Sequence, residues 1–210
     1  KAEQNGAFDQ RIYLEDVSIE DQTRSTYEDK DIVENYVQKN ASNQKMEDFL
    51  VKFSNSLNGK KVIDIGCGPG QHSAKFAELG FSVVGIDYSY GMIKKAKELY
   101  SGVRKTDFRQ MDMMDVGKEF DPNTFNAAWI SASLIHVPES KVPQFLQDLH
   151  TILVSGGRAY IGLKGGKQGS EVVKESKYGK EMQREFIFWQ KDNFDKLLAD
   201  QGFKIIDFFI

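Results

Sequence analysis

The sequence predicts a doubly wound α/β fold with a mostly parallel sheet, and three observations support this prediction. An apolar, β-branched segment over 60–65 stops at a glycine-rich turn, and a helical pattern follows directly. Further apolar segments then alternate with amphipathic helical patterns, as expected when each strand returns through a helix. The second apolar segment ends in an acidic residue, Asp87, about 20 residues beyond the glycine turn. Together these features predict a ligand site at the carboxyl ends of the strands.

Residues 1–57 precede the first strand and are polar and weakly patterned. Apolar residues between Thr26 and Leu57 recur at helical spacing, which predicts one or two amphipathic helices. We therefore expect a helical cap over 1–57 and a ligand-binding α/β domain over 58–210. The chain starts at Lys1 rather than Met, so we expect a fragment or a processed chain.

The first strand is an apolar run from Val62 to Ile65, as expected for a strand buried on both faces. Asp64 interrupts this run at a position where a carboxylate has little structural use. Glycines then occupy every second position, where a backbone without Cβ atoms can turn tightly and admit a ligand: Gly66, Gly68 and Gly70. A helix is predicted to follow over 71–79.

Asp87 ends the second strand, where a carboxylate can accept hydrogen bonds from both hydroxyls of an adenosine ribose. Tyr88 follows and is placed to lie against the adenine face. A helix is expected over 91–100. The third strand, over 106–111, is polar enough for a sheet edge, and Met111-Asp112-Met113 ends it.

The fourth strand is expected over 125–131, and small residues near its end allow a ligand to approach: Ser131, Ala132 and Ser133. His136 follows and is the best candidate for a general base, with a purely structural histidine as the alternative. An amphipathic helix over 138–154 leads to a fifth strand over 158–164.

The segment 164–184 contains glycines and several lysines, with a local excess of positive charge. We expect a loop there, either a lid that favours an anionic substrate group or a solvated segment. Residues 184–190 are predicted to be extended, 192–201 to be helical, and 203–210 to form a strand at the end of the sheet.

These motifs resemble those of the class I S-adenosylmethionine (SAM) dependent methyltransferases that act on small molecules. Motif I of that family is G-x-G-x-G with an acidic residue two positions before it, here Asp64, and the segment 87–89 resembles motif II. Residues 134–136 match the end of the family's fourth-strand pattern, in which Asn126 replaces the usual Asp. The resemblance covers about 60–166. It implies a Rossmann-like sheet of order 3-2-1-4-5-7-6, for which no seventh strand is left in the sequence.

The resemblance also implies two sites. The expected cofactor residues are Tyr36, Asp64, Gly66, Cys67, Gly68, Gly70, Asp87, Tyr88, Met92, Asp112, Met113 and Ser131. Within this set, Gly66 and Ser131 would contact the methionine part through their backbone, and Asp112 would accept from the adenine amine. The expected acceptor residues are Tyr27, His136, Lys164 and Trp189, with His136 as the catalytic base for acceptors that must lose a proton.

The implied reaction is in-line transfer of the SAM methyl group to a small molecule, with release of S-adenosylhomocysteine (SAH). The formal net charge of −3 argues against nucleic acid as a partner. No apolar run reaches membrane-spanning length, and three scattered histidines show no metal-ligand spacing. The single cysteine favours a cytoplasmic location, and we expect a monomer or a homodimer.

Two other functions stay open at the level of sequence. An NAD-dependent oxidoreductase would share Asp87 but would use the spacing G-x-G-x-x-G, and here Gln71 occupies the place of the third glycine. A catalytically silent SAM-binding or interaction module would carry the same cofactor residues. Turnover with an acceptor distinguishes it from an enzyme.

Overall fold

Five parallel strands form the central sheet of the protein. The structure is a computed structural model that describes residues 18–40 and 43–208. The strands are β1 (Lys61–Ile65), β2 (Ser82–Asp87), β3 (Thr106–Gln110), β4 (Phe125–Ser131) and β5 (Leu153–Gly162). Their order is β3-β2-β1-β4-β5, and every neighbouring pair is parallel. The predicted doubly wound fold is therefore confirmed, with the polar β3 at the edge.

Helices connect these strands. They are α1 (Ile19–Thr26), α2 (Lys30–Lys39), α3 (Gln44–Asn55), α4 (Gln71–Glu78), α5 (Tyr90–Leu99), α6 (Val116–Glu119), α7 (Val142–Ile152) and α8 (Lys191–Asp200). Short 3₁₀ turns lie at Met113–Asp115, Leu134–His136 and Glu139–Lys141. None of the helices in the described ranges is long and apolar enough to cross a membrane.

Alternate residues of the inner strands enter hydrophobic clusters on opposite faces of the sheet. Ile63 and Ile65 lie in one cluster, which contains the buried residues of α7, whereas Val62 lies in the other. That second cluster also holds Trp129 of β4 and Leu50 of α3. Because both faces of the sheet are covered, the inner strands are almost continuously apolar in sequence. A ligand site can then form at the carboxyl ends of the strands.

The segment expected to be a loop is instead part of a second, three-stranded sheet. It contains β6 (Lys164–Gly165), β7 (Gly169–Glu175) and β8 (Met182–Trp189), in the order β6-β8-β7. β8 confirms the extended segment predicted from its aromatic residues, and β7 pairs with it antiparallel along its whole length. The prediction of a loop over 164–184 was wrong because β7 forms by pairing with β8, although most of its residues are exposed or half-buried.

The strand predicted over 203–210 is not formed in the described part of that segment, 203–208. Phe203 packs edge-on against His150 at 5.3 Å between ring centroids. Further along, Ile206 is 70% exposed and Phe208 is 52% exposed. A mostly apolar segment was sufficient for a strand prediction, but a strand also requires a neighbouring strand to pair with. Residues 209 and 210 lie outside the described residues.

The predicted helical cap corresponds to three helices, α1 to α3, within the described residues, and residues 1–17 of the predicted range lie outside them. Each helix packs in a different place: α1 lies on β8, α2 on α5, and α3 on α4. Glu28 joins the cap to the start of α5, because its carboxylate accepts from the backbone N–H groups of Tyr90 (3.0 Å) and Gly91 (3.3 Å).

Candidate functional site

The glycines of the turn after β1 all have left-handed backbone conformations, which allow the tight turn that the sequence predicts. Gly66 has a φ of 74°, Gly68 of 54° and Gly70 of 87°. A Cβ atom on Gly66 would lie 2.2 Å from the Cβ of Ser133, so this position requires glycine for space as well as for φ. At Gly68 the nearest atom to an added Cβ is a ring carbon of Tyr36, 4.0 Å away. The backbone of Gly68 is therefore accessible from the side of Tyr36.

Asp87 lies beside this turn at the end of β2. One carboxylate oxygen accepts from the backbone N–H of Gly68 and the other from that of Ser89, each at 2.9 Å. Burial raises the pKa of Asp87 to about 6. Each carboxylate oxygen can accept a second hydrogen bond, so the group can hold the turn and still bind two vicinal hydroxyls. This geometry agrees with the ribose role expected for Asp87.

Asp64 lies below the turn and is 1% exposed. Its carboxylate accepts a hydrogen bond from the hydroxyl of Ser73 at 2.7 Å. Burial raises the pKa of Asp64 to about 7, and the hydrogen bond from Ser73 opposes this effect only in part. The carboxylate is thus a buried acid beneath the predicted cofactor position.

Asp64→Asn should gain stability relative to the unchanged protein as pH rises from about 4 to about 7. An acid with a higher pKa in the folded protein than in the unfolded chain binds more protons when folded, so stability falls with rising pH. The effect is about 1.4 kcal/mol for each unit by which the pKa is raised. Urea unfolding at pH 5 and pH 8 measures it, with exposed Asp121→Asn as control. An equal stability difference at both pH values would contradict the prediction.

Two other predicted cofactor residues point into the core. Cys67 packs with Ile93, Ala96 and Phe108, and burial raises the pKa of its thiol well above the usual range. Met92 is 2% exposed. A cofactor contact of either residue is therefore restricted to the backbone or to the part of the side chain nearest the turn.

The predicted adenine residues surround a groove of about 700 Å³ between α1 and the ends of β2 and β3. Tyr88 is 45% exposed there. Asp112 also lines the groove and accepts from the backbone N–H of Met114 at 2.9 Å. Met113 is packed against the core cluster beside it. Tyr88 and Asp112 thus lie close together, as the resemblance implies.

Sequence analysis did not identify Arg24 of α1, which lies in this groove. Its guanidinium carbon is 4.3 Å from the ring centroid of Tyr88, and its Nη1 donates to Asp112 at 2.8 Å. The contact joins residues far apart in the chain, so no local pattern could have revealed it.

Three of the four predicted acceptor residues, Tyr27, His136 and Lys164, lie where the cap and the second sheet meet near the end of β4. The ring of His136 is 6.4 Å from that of Tyr27 and 4.9 Å from that of Phe186. Tyr36 lies 6.1 Å from Tyr27 on its other side. Burial raises the pKa of Tyr27 to about 12. These rings form one aromatic wall above the glycine turn.

The second residue that sequence analysis missed is Arg184 of β8, which is 6% exposed. It bonds the Tyr27 hydroxyl and the Glu175 carboxylate, while its buried Nε has no partner among the described residues. Lys164 lies 3.5 Å from the ring centroid of Phe186, and burial lowers its pKa. The guanidinium of Arg184 is therefore fixed inside the aromatic wall.

The last two predicted residues differ in their position. Ser131 is half-buried at the end of β4, near the glycine turn, as expected for a backbone contact. Trp189 is instead buried in the main core cluster, 5.1 Å from Phe194 between ring centroids. Trp189 is thus a core residue of β8.

A hydrogen bond at Nδ1 orients the ring of His136. Its Nδ1 lies 2.8 Å from the backbone carbonyl oxygen of Glu185. A carbonyl oxygen only accepts, so the proton is assigned to Nδ1 and the lone pair to Nε2. Burial lowers the pKa of His136 to about 4, which keeps the ring neutral at physiological pH. The geometry thus provides an unprotonated nitrogen.

Comparison with known proteins places these features in a family context. Residues 62–157 match the family model described as a methyltransferase domain. The ubiquinone biosynthesis O-methyltransferase of Pseudomonas aeruginosa (strain LESB58) is 35% identical over 107 residues, which are 50% of this chain and 44% of that protein. The chain spans less than half the length of the curated relatives that it matches, and for this relative the matched share is 44%.

Solved structures agree with the fold. A SAM-dependent methyltransferase from Methanosarcina mazei has a TM-score of 0.67 at 22% identity, over 74% of this chain and 85% of that one. The Burkholderia thailandensis 1,6-didemethyltoxoflavin-N1-methyltransferase, with bound 1,6-didemethyltoxoflavin and SAH, has a TM-score of 0.63 at 19% identity. It covers 78% of this chain and 68% of that one. At these identities the similarity establishes the fold.

Proposed function

We propose that this chain, whose residues 62–157 match the methyltransferase-domain model, binds SAM and transfers its methyl group to a small-molecule acceptor. The observation that carries the proposal is the position of Asp87 against Gly68. A carboxylate oxygen of Asp87 lies 2.9 Å from the backbone nitrogen of Gly68. The carboxylate that would bind the ribose and the turn that would admit the methionine part are thus adjacent. The groove at Tyr88 and Asp112 continues the site at the adenine end.

In this mechanism the residues of the chain bind the cofactor and orient the reacting atoms. Bound SAM would supply an electrophilic methyl group and a sulfonium leaving group. Asp87 would fix the ribose, and the backbone of the turn would fix the methionine part. Tyr36 lies against Gly68 of the turn and Tyr27 packs on Tyr36, so the two rings would exclude water from the reacting atoms. Alignment of this kind is the main contribution that a protein can make to an in-line transfer.

His136 favours an acceptor that must lose a proton, such as a hydroxyl group. Its Nε2 carries the free lone pair because Nδ1 is bound to the carbonyl of Glu185. A base that is neutral at physiological pH can take the hydroxyl proton as the oxygen attacks. The relative from Pseudomonas aeruginosa is named as an O-methyltransferase, which supports the same choice of acceptor atom.

A small molecule is the acceptor class that the surroundings of His136 support. Aromatic rings and one buried cation, Arg184, enclose this side of the site, and a compact, partly aromatic acceptor would suit such a wall. That nucleic acid is not a partner, that the chain is a monomer or a homodimer, and that it is cytoplasmic stay predictions from the sequence.

Calorimetric titration with SAM, SAH and NAD⁺ tests the cofactor. We expect binding of SAM and SAH and none of NAD⁺, because the spacing of the glycines is that of motif I. Binding of NAD⁺ alone would support an oxidoreductase, and silence from all three would contradict a SAM site. If SAH binds, a screen of small phenols and other hydroxyl compounds for turnover separates an enzyme from a silent SAM-binding module.

A further inference from the structure

Arg24 makes both of the contacts that are expected of the adenine ring. Its planar guanidinium lies over the ring of Tyr88, with 4.3 Å between the guanidinium carbon and the ring centroid. At the same time its Nη1 donates to an oxygen of Asp112 at 2.8 Å. Adenine is also planar, would stack on Tyr88 and would donate its exocyclic amine to Asp112. The arginine and the base thus use the same two partners.

The ion pair between Arg24 and Asp112 is partly enclosed, and a second ion pair holds Arg24 in place. The side chains of Arg24 and Asp112 are 28% and 23% exposed, so their ion pair is less screened than a fully exposed one. Glu20, one helical turn earlier, lies 3.1 Å from Nη2 of Arg24 and is itself bonded to Lys141 at 2.9 Å. These contacts fix the guanidinium over Tyr88, and an incoming base must displace it.

The same short helix reaches the acceptor side of the site. Thr23, next to Arg24, accepts from the backbone N–H of Glu185 at 2.9 Å. Tyr27, which follows the helix, bonds Arg184 through its hydroxyl. The carbonyl of Glu185 in turn orients His136. A shift of α1 at the adenine end therefore changes contacts of β8 beside the predicted base.

We propose that Arg24 competes with the adenine ring for Tyr88 and Asp112, so that binding of SAM or SAH releases α1 from the adenine subsite. This inference rests on the proposed function, since it needs a SAM site at the glycine turn. The work of displacing Arg24 is subtracted from the affinity for the cofactor, because only the fraction of molecules with Arg24 displaced can bind.

Calorimetric titration of SAH into the unchanged protein, Arg24→Ala and Arg104→Ala tests the competition. Arg104 is an exposed arginine before β3, and its replacement controls for the loss of one positive charge. We expect Arg24→Ala to bind SAH roughly 5–30-fold more tightly, which corresponds to a competing contact of one or two kcal/mol. Arg104→Ala should bind like the unchanged protein. Unchanged or weaker binding by Arg24→Ala alone would overturn the inference, because Arg24 would then be neutral or a direct cofactor contact.

A second measurement needs no variant and so does not depend on the folding of Arg24→Ala. Hydrogen exchange of the amides over Ile19–Thr26 should become faster when SAH is added to the unchanged protein. Slower exchange would mean that α1 closes on the cofactor, which would overturn the proposed competition. If SAH binds to no form of the protein, the proposed function itself fails. Binding to the unchanged protein without these effects removes only the inference about Arg24.

Discussion

Replacement of His136 by alanine is expected to slow methyl transfer to a hydroxyl acceptor by about 10²- to 10⁴-fold, the usual contribution of a positioned base. The physical reason is the loss of Nε2, which carries the free lone pair of a ring held through Nδ1. Affinity for SAH should not change, since His136 lies on the acceptor side. Single-turnover rates and SAH calorimetry measure the two quantities separately.

The control for His136 is His150→Ala, an exposed histidine of α7 that contacts Phe203 rather than the site. It should leave both quantities unchanged. The pH profile gives an independent check: because burial lowers the pKa of His136 to about 4, the rate that depends on this base should fall only as pH drops towards 4. Normal turnover by His136→Ala would show that the histidine only supports β8.

Asp87→Ala should weaken binding of SAM and SAH by about 1.5–3 kcal/mol, the range for hydrogen bonds to a charged group. Two effects of the substitution both weaken binding. The ribose hydroxyls lose their acceptor, and the backbone N–H of Gly68 loses the carboxylate that holds the turn in place. Calorimetric titration with SAH measures the affinity.

Asp107→Ala is the matched control for Asp87, because Asp107 lies on the neighbouring strand β3 with an exposed carboxylate bound to Arg109. It changes the net charge equally and should leave SAH affinity unchanged. Urea unfolding of both variants shows whether a loss of binding follows from a loss of fold. Full affinity in a folded Asp87→Ala protein would refute the ribose assignment.

Sequence alone was sufficient for the part of the site that a single short segment builds. The glycines at 66, 68 and 70 predict a tight turn, and each has a positive φ that allows it. Asp87 follows its apolar strand directly, so its position at the carboxyl end of β2 is fixed once the strand is recognised. These local patterns are readable because backbone conformation and burial act within a few residues.

The two secondary-structure predictions that were wrong, a strand over 203–210 and a loop over 164–184, have one cause. The segment 203–210 is mostly apolar, which predicts a strand, but no strand forms over 203–208, where Ile206 is 70% exposed. The segment 169–175 has little hydrophobic pattern, and it is a strand because β8 provides its hydrogen bonds. Whether a segment becomes a strand depends on its neighbour as much as on its own residues.

The sequence by itself determined the parallel sheet, the glycine turn and the carboxylate beside it. Only the tertiary structure decided that Arg24 lies on Tyr88 and Asp112, that Arg184 reaches Tyr27, and that Trp189 belongs to the core. The physical reason is the range of the interactions. Strand periodicity and glycine conformation act between near neighbours in the chain, whereas an ion pair or an aromatic contact depends only on which surfaces the finished fold brings together.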